Sequence, residues 1–171
     1  MKAPILLKTI LDICFFILLV SLLFSTGFSL FYIFSGKELT FIHIKQSPLG
    51  AITIPKLILL LGAIIQSALF LYSIYVLRKV VRSFFRKKLF TSVQISGLYL
   101  TGNLIVFASI LDVIIGFFAN IILESKLKIG FEIESSFSSF WFQLALGLFL
   151  ILLSKAFDSA KKLKEENDLT V

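Results

Sequence analysis

Four long apolar stretches, at about residues 9–34, 56–77, 98–123 and 138–157, alternate with shorter segments that hold most of the charge. A helix needs about 20 residues to cross the ~30 Å of a bilayer's hydrocarbon, and each stretch is long enough. The pattern predicts an all-α membrane protein with four transmembrane helices, forming a single membrane domain over residues 1–171 with no flexible linker to divide it.

The segments between the spans carry patterns of their own. Pro55 suits the first turn of the second helix, where its missing N–H costs nothing, and no breaker follows until about Phe90. Past Leu77 the helical wheel puts Arg78, Lys79, Arg82 and Arg86 on one side and Leu77, Val81, Phe84 and Phe85 on the other, so the helix is expected to continue as an amphipathic stalk. Thr91 and Gln94 then have capping-box spacing, with Phe90 and Ile95 as a hydrophobic staple. Together these features predict a protruding helical hairpin that turns near Lys88 to Phe90. On the other side of the membrane, residues 39–44 and 51–54 are β-rich and flank Ser47-Pro48-Leu49-Gly50, a turn-like stretch. Residues 126–134 alternate with period two, placing Leu127, Ile129, Phe131 and Ile133 on one face. A small extracellular β-cap is the expectation.

Composition agrees with lipid as the solvent. The 171 residues are 58% hydrophobic and only 16% charged, more apolar than a soluble core can hide, and their mean hydropathy is +1.00. Lys2 and Lys8 before the first stretch resemble a secretory leader, but the stretch is too long for one and no A-x-A site follows, so it reads as a retained helix. Twelve of the 17 basic residues fall at Lys2, Lys8, Arg78, Lys79, Arg82, Arg86, Lys87, Lys88, Lys155, Lys161, Lys162 and Lys164. By the positive-inside rule both termini and the 78–88 segment face the cytoplasm of the inner membrane, while residues 35–54 and 124–137 face outward. The net charge of +7 does not indicate nucleic-acid binding, because the cations flank apolar stretches and lack a helix-turn-helix pattern or interleaved aromatic platforms. Trp141 and Tyr32 near the outer boundary and Tyr72, Tyr75 and Tyr99 near the inner one read as interfacial anchors.

Reactive chemistry is sparse. The lone Cys14 excludes an intrachain disulfide or a Cys-based metal site, and the lone His43 has no second ligand at metal spacing. Ser21, Ser25 and Ser29 form an i, i+4 strip without a base to activate any of them. No paired carboxylates or phosphate-cradling loop occur, so the reading is non-enzymatic, with no catalytic residue, cofactor or metal. Asp12, four residues after Lys8, reads as structural. Asp112 is the most informative single residue, since an aspartate at mid-span costs ~2.5 to 3.5 kcal/mol on insertion scales and should face the helix interfaces. Ala108, Asp112, Gly116 and Asn120 form a small and polar strip, with Gln66, Gly62, Gln143 and Gly147 as counterparts on the flanking spans and Asn103 a further polar neighbour. A hydrogen-bonded interhelical contact competes here with a proton or cation site. The lone acid, the absence of a broken helix pair and the lack of an internal repeat favour the former.

Residues 71–104, LYSIYVLRKVVRSFFRKKLFTSVQISGLYLTGNL, and 154–171, SKAFDSAKKLKEENDLTV, resemble the small bacterial membrane proteins grouped as domain of unknown function 2975. The likeness lies in an aliphatic helix running into a basic stretch, a turn at Phe90-Thr91, and a terminal Leu163 followed by Glu-Asn-Asp-Leu-Thr-Val at 166–171. Family members often have Gly where Ser159 or Ala160 stands here. Genes of that family often lie beside one for a small helix-turn-helix regulator. The resemblance thus implies a cytoplasmic partner surface on Arg78, Arg82, Arg86, Lys87, Lys88, Glu165, Glu166 and Asp168. Two alternatives stand beside it: a small ion-coupled carrier using Asp112, and an immunity or stress-resistance membrane protein that depends on its outer cap.

Overall fold

A computed structural model describes residues 3–35, 43–44, 47–48, 53–84, 90–124 and 136–169. Four helices account for almost all of them: α1 (Ala3–Ser35), α2 (Ile54–Phe84), α3 (Ser92–Glu124) and α4 (Ser136–Leu169). All four are long and apolar enough to cross a membrane. At 1.5 Å per residue a helix of more than 30 residues runs over ~45 Å, so each exceeds the hydrocarbon thickness.

The helices run up and down, and each packs chiefly on its neighbour in sequence, α1 on α2, α2 on α3 and α3 on α4. This makes α3 the central element. Two apolar clusters fix it. Leu59 and Leu60 of α2 close on Ile115 and Ala119 of α3, and Val80 of α2 closes on Leu98 and Ile105 of α3 with Leu150 of α4. Backbones approach where the sequence supplies glycine. A Cβ on Gly97 would fall 2.3 Å from a Val80 methyl. On the other side of α3, a Cβ on Gly102 would fall 2.7 Å from the Gly147 carbonyl oxygen, and one on Gly147 would fall 3.0 Å from that of Gly102. This reciprocal pair is the small-residue contact that lets helices meet in lipid, where no hydrophobic gain drives them together. Ser154 reinforces it by donating its hydroxyl to the Ile95 carbonyl, 2.8 Å away.

α2 continues unbroken past Leu77 to Phe84, and the next described residues, Phe90 and Thr91, lead into α3. Here the capping box forms reciprocally: the Thr91 N–H donates to Gln94 Oε1 (3.1 Å) and the Gln94 N–H to Thr91 Oγ1 (3.3 Å). Gln94 is fully buried in doing so. Phe90 has a φ of 60°, a left-handed backbone that is an outlier for a bulky residue. Its ring meets Phe157 edge-on at 5.3 Å, and Phe84 meets Phe157 in the same manner at 5.9 Å. One aromatic side chain of α4 thus pins both ends of the α2–α3 connection, which offsets the backbone strain.

One boundary differs from expectation. Ile54, read from its β-branched neighbours as the end of a strand, opens α2 instead, because Pro55 behind it fits the first turn. α4 stays helical to Leu169, aided by i, i+4 pairs from Lys162 to Asp158 (2.9 Å) and Lys161 to Glu165 (3.7 Å). The only strand pairing among the described residues is a two-residue antiparallel ladder in which β1 (His43–Ile44) pairs with β2 (Ser47–Pro48), so Ser47 and Pro48, read as part of a turn-like stretch, pair as a strand instead. The alternating stretch at 126–134 lies outside the described residues.

Candidate functional site

Between its two apolar clusters, α3 carries a polar layer that reaches both neighbours. Gln66 Nε2 of α2 donates to Asp112 Oδ1 at 3.1 Å, and both side chains are half-buried. One turn away, the buried Ser109 hydroxyl lies 2.8 Å from the Ile105 carbonyl and 3.3 Å from Oε1 of Gln143 in α4, so its single proton is shared between a bond within the helix and one across the interface. The strip read from the sequence therefore divides. Asp112 and Gln66 meet, Gln143 turns to Ser109, Ala108 and Gly116 are buried as spacers, and Asn120 and Asn103 are exposed. Chemically the layer is two separate bonds from neutral donors, Gln66 to the Asp112 carboxyl and Ser109 to the Gln143 amide oxygen, which tie α3 to α2 and to α4.

A second polar centre joins α1 to α2. Asp12 accepts from Arg78 Nε and lies 3.3 Å from an Arg82 guanidinium nitrogen. Arg78 also sits over the Phe15 ring, 5.2 Å from its centroid, while Phe15 packs on Tyr75 at 6.1 Å. An ion pair of this kind is worth more next to apolar walls than in open water. Sequence reasoning missed it by looking along α1, toward Lys8, instead of across to α2. The signal was there: in antiparallel spans, Asp12 just inside the first stretch and Arg78 just past the end of the second stand at one depth. The Gly102–Gly147 contact was missed because only Gly147 had been singled out, without its partner.

Of the residues assigned to a partner surface, Arg78 and Arg82 are thus engaged by Asp12, while Glu165, Glu166 and Asp168 are exposed on the end of α4. Arg86, Lys87 and Lys88 lie outside the described residues. Lys162, Leu163 and Lys164 are exposed as well, so the end of α4 presents charge and an exposed leucine, with no described helix packed against them.

Four apolar helices held by small residues and a thin polar layer are the architecture of a multi-pass membrane protein. The chain belongs to the family described as Protein of unknown function (DUF2975), which it matches over residues 5–171, nearly its whole length. No curated protein is matched significantly. No solved structure is matched significantly either.

Proposed function

We propose that this protein is a non-enzymatic component of the bacterial inner membrane that docks a cytoplasmic partner on the projecting end of α4, a small helix-turn-helix regulator being the partner class. The observation that carries this reading is the continuation of α4 to Leu169, more than two turns beyond the aromatic anchor Phe157, as a helix that exposes Leu163 between Lys162, Lys164, Glu165, Glu166 and Asp168. A helical end of that length that packs on no other described helix is marginal by itself, and an amphipathic groove on another protein is what such a face fits. In this reading both termini and the α2–α3 turn lie in the cytoplasm, following the cation distribution, and the ladder at 43–48 belongs to a small cap outside. The test is co-purification from native membranes with Leu163→Ala, Glu165→Gln and Glu166→Gln combined. Loss of a DNA-binding protein from the eluate is expected; its recovery in undiminished yield would contradict the assignment.

The bond from Gln66 to Asp112 supports a second reading, in which the carboxyl is a coupling site for a proton or cation. Proteoliposomes decide it: flux that depends on Asp112 and vanishes in Asp112→Asn favours the carrier, whereas indifference leaves the residue as an interhelical brace.

A further inference from the structure

Beside the Ser154 contact, α3 and α4 part to leave a groove of about 520 Å³ at the basic end of the molecule. Its walls are the opening turns of α3, with Ser92, Ser96 and Tyr99, and the facing stretch of α4, with Lys155, Asp158 and Lys161. We propose that this groove binds the phosphate headgroup of an anionic phospholipid.

The cations are placed for it. Lys155 is exposed and makes no hydrogen bond or ion pair among the described residues. Lys161 leans across the groove to within 3.2 Å of the Ser92 hydroxyl, so its ammonium group bridges the two walls. The one acid in the lining, Asp158, is neutralised from outside by Lys162 at 2.9 Å. An anion entering the groove therefore meets two ammonium groups and the hydroxyls of Ser92 and Tyr99. The phosphate diester of a lipid accepts charge-assisted bonds from such donors, and basic pockets between membrane helices recur as sites for anionic headgroups.

What surrounds the groove argues for a lipid over a free anion. Helical periodicity carries the Ser92, Ser96 and Tyr99 face on to Asn103 and Ile110. Asn103 is exposed and has no hydrogen-bond partner among the described residues, so its amide, one turn beyond Tyr99, could meet the glycerol esters of a lipid held by its phosphate. Beyond it the surface is apolar, with Ile110 of α3 and Leu148 and Leu152 of α4 exposed, as acyl chains require. Phosphate alone would leave that amide and that apolar track without a partner.

The measurement is native mass spectrometry of the full chain released from nanodiscs of mixed phosphatidylcholine and phosphatidylglycerol. Retained phosphatidylglycerol should exceed phosphatidylcholine by about thirtyfold, the ratio that two surface cations of ordinary strength would give. Lys155→Gln, which removes an exposed side chain with no partner among the described residues, should lower that preference several-fold, and Lys155→Gln with Lys161→Gln should abolish it. Lys155→Arg with Lys161→Arg should keep it, as should Lys79→Gln, which changes an exposed cation on α2 outside the groove. Equal retention of both lipids, or a preference that survives loss of both lysines, would overturn the assignment. So would an equal loss in Lys79→Gln, which would make the effect one of general surface charge. Displacement of the lipid by millimolar inorganic phosphate would make a free anion the ligand instead.

Discussion

α1 and α3 have the same length, 33 residues, and are both strongly apolar, yet they occupy opposite roles. In the most apolar stretch of α3, 33% of residues are buried; in that of α1, none are. The difference lies in whether small and polar residues meet a neighbouring helix. α3 offers Gly97, Thr101, Gly102, Ala108, Ser109, Gly116 and Ala119 to its neighbours, and through them backbones come close enough for van der Waals contact and hydrogen bonds. α1 offers Phe16, Phe24, Phe28 and Phe31, all exposed, and is attached mainly through Asp12 at one end and Ile33 at the other. Hydropathy decides which segments enter the membrane; the placing of small residues decides which of them becomes the core.

That contrast can be broken at its strongest point first. Gly102→Val should destabilise the protein by about 2 kcal/mol, because the new methyl groups meet backbone atoms of α4 that cannot move aside; unfolding of the purified protein in mixed micelles would measure it. Phe157→Ala should cost somewhat less, about 1 to 2 kcal/mol, since the ring is half-buried and touches both Phe84 and Phe90. The same assay should show Gln66→Leu losing only about 0.6 kcal/mol, the typical worth of a hydrogen bond between membrane helices. Phe24→Ala on α1 should change stability by less than about 0.5 kcal/mol, since this side chain faces lipid both before and after unfolding within the bilayer. If the Phe24 variant proved as damaging as the Gly102 variant, α1 would have a packing partner beyond the chain itself.

The four spans, the continuation of α2 beyond Leu77 and the capping box at Thr91 and Gln94 were all legible in the sequence, because each rests on a local pattern: length, periodicity or a fixed three-residue spacing. The pairings across helices were less so. Asp112 and Gln66 were read as one polar neighbourhood because both stand at mid-span, whereas Asp12 was read against Lys8 because local spacing was the only ruler applied. Asn120 was grouped with Asp112 by its i, i+8 spacing, but a helix packed on two neighbours turns part of that strip outward. The ladder of 43–44 with 47–48 shows the same limit in β structure, where Ser47 and Pro48, read as turn residues from their type, pair with Ile44 and His43.

All of these contacts assume that the chain crosses the membrane four times with its basic end on one side. Cysteine accessibility tests that most directly. In a Cys14→Ser background, single cysteines replace Lys45, Lys87 and Lys164, and intact spheroplasts are treated with a membrane-impermeant maleimide. Labelling at position 45 alone, with 87 and 164 reactive only after the membrane is opened, is the predicted result. Labelling of position 87 from outside, or of all three positions alike, would contradict the arrangement.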